Sequence, residues 1–187
     1  SASLAEGVRE QLKDLGMGKT RFEVRFQEAP FSEAGADRVE FMISPNPGEP
    51  LKPLSKIASG GELSRLMLAI KSLEAEKGGV GTMVFDEIDT GIGGQVGVAV
   101  GAYLQQLSQY RQVLCVTHLA TIAAQADQQY KVDKQVLDGR TSTSLRLLSR
   151  QDREVEIARM LSGSGESHVS RTHAAELLNQ SRAQKFL

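Results

Sequence analysis

Cysteine is all but missing. Of 187 residues only Cys115 carries a thiol, so no disulfide can form within the chain, and a reducing compartment suits it. An excess of charge of either sign is missing too. The 22 Lys and Arg nearly balance 23 Asp and Glu, for a formal charge of −1, and no overall basic field draws the chain to nucleic acid. A local patch is still open to it, but Lys131, Lys134, Arg140 and Arg146 are scattered rather than striped and read as solvated surface. No apolar run approaches the roughly 20 residues of a membrane-spanning helix, and no basic-then-apolar N-terminus suggests a signal peptide. There is no internal repeat and no low-complexity tract. No two of the three histidines stand at helical i, i+4 spacing, and with one cysteine that argues against a zinc site. His168 and His173 receive no role. The chain does not open on Met, and its first residues already carry a helical pattern, so it reads as a piece of a longer protein.

The hydrophobic content, 40% with 24% charged residues, is enough for one domain with a real core. Residues 3–15 place Leu4, Val8, Leu12 and Leu15 on one helical stripe, either the end of a coiled coil or a packing helix, stopped by Gly16 and Gly18. Residues 21–26 alternate apolar and charged and residues 38–43 repeat the pattern, predicting two strands joined by a polar loop with Pro30 and Gly35. The proline-rich stretch 44–54 must be extended or turning. A helix over about 62–77 presents Leu63, Leu66, Met67, Ile70 and Leu73. A buried strand (82–86), a glycine-rich turn, a helix (94–108) and a second buried strand (112–117) follow, and that order predicts a parallel α/β arrangement with right-handed crossovers. Cys115, within Val113-Leu114-Cys115-Val116, reads as a buried strand residue rather than a reactive thiol. Strands near 129–136 and 142–148 and helices near 153–162 and 171–182 complete the chain.

Two phosphate-binding patterns fail. Gly18-Lys19-Thr20 ends like G-x-x-x-x-G-K-[S/T], but Lys13 stands where the first glycine belongs, and a helix precedes where a strand should. The run Gly91-Ile92-Gly93-Gly94-Gln95-Val96 misses the dinucleotide fingerprint because it ends on Val96. Four other segments carry chemistry. The strand 82–86 delivers Asp86 and Glu87 to the C-terminal edge of a parallel sheet, where α/β proteins bind ligands. One acid there can hold a magnesium ion through water, and its neighbour can orient and deprotonate an attacking water. A strand simply leaving the core with solvated acids gives the same letters. Ser59-Gly60-Gly61-Glu62 opens the long helix. A capping serine, two glycines and the positive helix end favour a terminal phosphate, though an ordinary capped helix start also fits. Asp89-Thr90-Gly91 suits a turn, and Gly93, Gly97 and Gly101 suit close helix packing. His118 ends the strand 112–117, where it can meet a γ-phosphate or serve structure alone.

Together and in this order, these segments resemble the ABC ATPase superfamily. Ser59-Gly60-Gly61-Glu62 resembles the signature, MVFDE at 83–87 resembles Walker B with its glutamate, Asp89 the D-loop aspartate, and His118 the switch histidine. The interval from Gly61 to Asp86 suits one helix, a turn and a strand. KIASGGELSRLMLAIK (56–71), VFDEIDTGIGG (84–94), VTHLATIAAQAD (116–127), EVEIARMLSG (154–163) and HAAELL (173–178) are similar to the bacterial double-strand-break repair branch of the SMC/Rad50-like ATPases, over nearly all of residues 38–180. Glu62 where transporters often have glutamine and Ala58 where many have leucine are minor departures.

The resemblance implies an α/β fold: the C-terminal lobe of an ABC/SMC-type P-loop NTPase head, largely a parallel sheet flanked by helices, with residues 1–18 as a coiled-coil end or packing helix and 19–187 as the half head without Walker A. It implies ATP and Mg2+ as cofactors, with Asp86 holding the metal through water, Glu87 as base and His118 on the γ-phosphate. Ser59, Gly60, Gly61 and Glu62 would meet the phosphate bound by a second head, and Asp89 would couple the two sites. The implied partners are the N-terminal Walker A half of the same protein, a second head in an ATP-bound homodimer, and DNA through the full-length protein, with no membrane and a cytoplasmic, nucleoid-associated setting. The chain alone is expected to be inactive. A transporter nucleotide-binding domain and a nucleotide-gated DNA clamp with incidental turnover share these motifs.

Overall fold

A computed structural model describes residues 2–33, 35–137, 140–163 and 167–183. The chain divides into two compact units, Ser1–Thr117 and His118–Leu187.

In the first unit, helix α1 (Ala2–Leu12) buries Ala5, Val8 and Leu12 and packs against helix α2 (Gly60–Leu73). A Cβ on Gly7 would stand only 3.1 Å from Leu73 Cδ1. The helix ends in a kink over Lys13–Met17, where Gly16 takes φ +75° and faces Val96 and Ile92 closely. A side chain in that left-handed conformation would be strained and crowded together, so glycine is required there.

Strands β1 (Arg21–Ser32) and β2 (Gly35–Ser44) form a long antiparallel hairpin, and the short β3 (Lys52–Pro53) pairs with β2. The hairpin outgrows the two short strands and polar loop expected from the sequence. Pairing continues through Gln27↔Arg38 and Glu28↔Asp37, then shifts register between Glu28 and Ser32. Pro30 falls inside that irregularity, where its missing N–H costs no ladder bond. Phe22 and Ile43 anchor the base and are buried, whereas Phe26, Val39 and Phe31 are exposed.

Strands β4 (Thr82–Phe85) and β5 (Gln112–Cys115) are parallel, joined through helix α3 (Gly94–Ser108). Among the described residues parallel pairing is confined to these two strands, and the remaining sheets are antiparallel. Only one face of the pair is buried. Met83 and Phe85 face inward, while Val84, Leu114 and Val116 on the other face are 66%, 48% and 61% exposed. Strands written as continuous apolar runs suit cover on both faces, and among the described residues the second face of this pair is exposed. Gly97 and Gly101 of α3 are buried, as close packing requires.

The second unit holds the short helix α4 (Ala120–Ala123), a hairpin of β6 (Tyr130–Leu137) and β7 (Arg140–Leu147), and helices α5 (Arg150–Ser162) and α6 (His168–Ala183). Its core gathers Ala120, Ala123, Ala124, Ile157, Ala158 and Ala174. Ser149 and Asp152 form a reciprocal cap at the start of α5, and Gly163, with φ +79°, closes its end with its N–H on Arg159 O at 2.7 Å. One face of the hairpin is apolar and open: Tyr130, Val132, Val136, Leu145 and Leu147 are exposed. On the other, Lys131 Nζ lies 3.1 Å from Glu156, which also binds Arg159. Burial raises the Glu156 pKa, but the hydrogen bonds and charges of Arg159 and Lys131 outweigh it and hold the carboxyl below its usual range. Lys131 and Arg146, the latter 3.2 Å from Asp152, are thus committed to local ion pairs. No helix among the described residues is long and apolar enough to cross a membrane.

Candidate nucleotide site

Asp86 and Glu87 stand just past the end of β4, both exposed. Asp86 Oδ1 accepts the Glu87 N–H at 2.8 Å, and its backbone carbonyl accepts the Ser64 hydroxyl at 2.8 Å. Glu87 is the single non-glycine residue with positive φ (+56°) among the described residues. That conformation costs an ordinary residue about 1–2 kcal/mol, and such strain concentrates at functional sites. A turn follows, with Thr90 N–H donating to Glu87 O at 3.0 Å and Ile92 N–H to Asp89 O at 3.3 Å.

The start of α2 lies against this loop. Ser59 caps the helix, its hydroxyl oxygen accepting the Glu62 N–H at 3.3 Å, and its carbonyl takes the Leu63 N–H at 3.1 Å. The amides of Gly60 and Gly61 make no hydrogen bond among the described residues, so two donors stay at the positive helix end. Glu62, in the first turn, complements that end. A Cβ on Gly60 would overlap the Glu87 carboxylate. One on Gly61 would stand 3.0 Å from Glu87 O and 3.1 Å from Arg65 Nη1 and Thr90 Cβ. Gly61 is thus held to glycine by close approach to backbone, whereas a side chain at position 60 would only turn aside the free end of the Glu87 side chain.

Asp89 is turned inward. It is 3% exposed, and Thr117 donates its hydroxyl to Asp89 Oδ2 at 2.5 Å. Its carboxylate is therefore not on the surface that Ser59, Gly60, Asp86 and Glu87 share; it ties the acid loop to the segment leaving β5. His118, exposed, follows Thr117 directly and opens the second unit.

Cys115 is half-buried. Burial, then the charges of Asp89 and Asp86, pushes its thiol up to about 12. Against an ordinary value near 8.5, its thiolate fraction at pH 8 falls by about 10³. Its alkylation by iodoacetamide is therefore expected to be slow in the native chain and to speed up sharply in denaturant. Equal rates in the two states would contradict the burial.

A magnesium ion fits the donor set as a partial site. Among the described residues no group of three or more His, Cys, Asp or Glu could hold a metal, and Asp86, exposed at the end of β4, is the candidate carboxylate. Mg2+ is commonly held by one or two carboxylates with water and phosphate oxygens, and one Asp at a sheet edge meets that need. Clefts of about 440 Å³ (including Glu154, His168 and Arg171) and about 530 Å³ (including Lys19, Arg21 and Pro47) are not lined by residues 59–62 or 86–90.

Three contributors escaped the sequence reading. Ser64 and Arg65 hold the acid loop from α2; Arg65 Nη1 donates to Ile88 O at 3.1 Å and Thr90 O at 3.0 Å. The signal was a charge at position 65 inside an apolar helix face. Arg153 donates to the carbonyls of Ala123, Ala124, Ala126 and Asp127, closing the end of α4, the helix that follows His118.

In fold the chain is similar to SMC head domains. It resembles the head domain with coiled coil and joint of Pyrococcus yayanosii with a TM-score of 0.56 at 20% identity, covering 81% of this chain and 28% of that one. It resembles the Smc head domain with extended coiled coil of Pyrococcus furiosus, bound there to the C-terminal domain of ScpA, with a TM-score of 0.54 at 19% identity over 80% of this chain and 35% of the other. The fold is that of one lobe of an ABC/SMC-type head. No protein-family model matches. In sequence the chain is 45% identical over 181 residues to the DNA repair protein RecN of Halalkalibacterium halodurans, which takes in 94% of this chain and 32% of the relative. It is 47% identical over 176 residues to RecN of Deinococcus radiodurans, 94% of this chain and 31% of the relative. The chain thus spans about a third of the length of these curated relatives and is similar to their C-terminal part.

Proposed function

We propose that the chain is the half of an SMC-like ATPase head that supplies the hydrolytic acids to one nucleotide and the phosphate-sensing glycines to another, in a protein of DNA double-strand-break repair. The observation that carries this is one juxtaposition. Gly60 and Gly61, with their unbonded amides, abut Glu87, and Ser64 grips Asp86, in a chain that is RecN-like over 94% of its length.

ATP with Mg2+ supplies the γ-phosphate to be cleaved and the charge that makes it electrophilic. Asp86 would hold the metal, with its Oδ1 already accepting the Glu87 amide. Glu87 orients an attacking water and takes its proton. His118, which opens the second unit, is the candidate γ-phosphate donor there, and Arg153 closes the end of the helix that follows it. Ser59, Gly60 and Gly61 present hydroxyl and amide donors to the nucleotide of a second head. Asp89 couples the two sites, and its carboxylate ties the acid loop to Thr117. Since the glycine donors bind a γ-phosphate only while it is attached, hydrolysis removes a differential interaction and the pair of heads loosens.

The exposed side of β4 and β5 fits this reading: Val84, Leu114 and Val116 form an apolar face suited to the rest of the head. The chain alone is expected to show no turnover. Turnover appears when it is joined to the Walker A half of its parent, measured as phosphate release. A reassembled protein that binds no ATP would sink the proposal.

A further inference from the structure

Of the charged residues on α2 (Glu62, Arg65 and Lys71), the fold buries only Arg65, at 6% exposed. It lies beneath the acid loop. Residues 60, 61, 64 and 65 occupy one face of the helix, at i, i+1, i+4 and i+5, and all four meet residues 86–90. Gly60 meets the Glu87 carboxylate, Gly61 the Glu87 carbonyl, Ser64 the Asp86 carbonyl, and Arg65 Nη1 the carbonyls of Ile88 and Thr90 on either side of Asp89. A buried guanidinium is a costly way to pack a helix on a loop, since Leu or Met would fill the place without desolvating a charge. Its Nε is buried with no hydrogen-bond partner among the described residues, so its donors are not fully used for stability. What an apolar residue could not do is span two carbonyls from one nitrogen, and those carbonyls belong to the turn that carries Glu87 at φ +56°.

We propose that Arg65 is a positioning residue that makes the helix carrying Ser59, Gly60 and Gly61 and the loop carrying Asp86 and Glu87 one rigid piece, so that phosphate engaged at the helix end on a second head aligns the Glu87 carboxylate of its own head. This rests on the reading of Glu87 as base and of the glycines as a contact across the dimer. One head then links two nucleotides, the one its glycines touch and the one its acids serve. The signal travels through a single helix face, without any change in the core.

The test uses the full-length protein with Arg65→Met, Arg65→Lys and Glu87→Gln. Hydrogen exchange over residues 86–92, ATP-driven dimerisation and turnover per dimer are measured on each. The amides of Thr90 and Ile92 report the turn directly, independently of activity. In Arg65→Met their exchange rises at least about tenfold, the worth of a hydrogen bond from a charged donor, and turnover per dimer falls by at least as much while dimerisation keeps within about twofold. Arg65→Lys, which retains a charged donor, recovers part of both losses. Wild-type exchange and turnover in Arg65→Met, with Glu87→Gln inactive, overturns the clamp. Parallel loss of dimerisation and turnover that Lys does not recover overturns it in favour of a merely structural role. Normal turnover in Glu87→Gln, with 86–92 still loosened in Arg65→Met, locates the failure in the base assignment instead and removes the transmission to Glu87. Should Arg65→Met not accumulate folded, Arg65→Lys decides, since turnover per dimer equal to wild type there overturns the proposal.

Discussion

Glu87→Gln in the full-length protein is expected to bind ATP as the wild type does, to hold the paired state, and to lose turnover by about 10²–10⁴-fold. The substitution is unusually clean at this position. Gln has the same length and the same penalty at φ +56°, and it presents the same bulk to Gly60, so neither the strain nor the close approach changes. What changes is the charge and the ability to accept a proton. The amide can still orient water, which separates orientation from deprotonation. Phosphate release and light scattering in the presence of ATP are the two readouts. Turnover near the wild-type rate would place the base elsewhere, and loss of ATP binding would mean that Glu87 acts in the ground state. Replacing Glu87 by Gly is the stability control, since it relieves the left-handed backbone and should raise the melting temperature while abolishing turnover.

The sequence made most of the local structure legible, and the reason lies in period and punctuation. Ser59 and the two glycines marked the start of α2, and the apolar run before Asp86 marked β4. The long β1–β2 hairpin was hidden because Gln27 to Pro30 reads as loop by composition, while pairing with Arg38 and Asp37 across the hairpin is a tertiary matter. The open faces of β4–β5 and β6–β7 were illegible for a related reason. Val84, Leu114 and Leu145 look like core residues in a sequence, yet the fold leaves all three exposed. Around the acids, the residue types were readable but their partners were not. The sequence offers Asp89 as a D-loop aspartate by resemblance; that it is 3% exposed and accepts the Thr117 hydroxyl is visible only in the fold. Arg65 was passed over because arginine is a good helix former and most helical arginines face water. Burial of one charge on an apolar face was the clue, and only the backbone carbonyls of Ile88 and Thr90 explain it.

Ser59→Arg is expected to abolish ATP-driven pairing of heads while leaving ATP binding by the Walker A half intact. Ser59 is exposed at the start of α2, so the fold tolerates the change; the lost cap costs about 1 kcal/mol. A long cation there fills the approach to the Gly60 and Gly61 amides and opposes the helix dipole. Ser59→Ala, which loses the cap alone, is the control and should still pair. The structure makes a sharper form of the experiment necessary, because Gly60 touches Glu87 of its own chain, and a purely local role would also inactivate the variant. Mixing Ser59→Arg protein with Glu87→Gln protein separates the two. If glycines and acids serve different nucleotides, a mixed pair has one site carrying both lesions and one carrying neither, and turnover returns in the mixture although each parent is inactive. If both sets serve the same nucleotide within one head, every site in the mixture is damaged and no turnover returns. Recovery would therefore establish action across the dimer, and its absence, with mixed pairs shown to form, would confine the glycines to their own head.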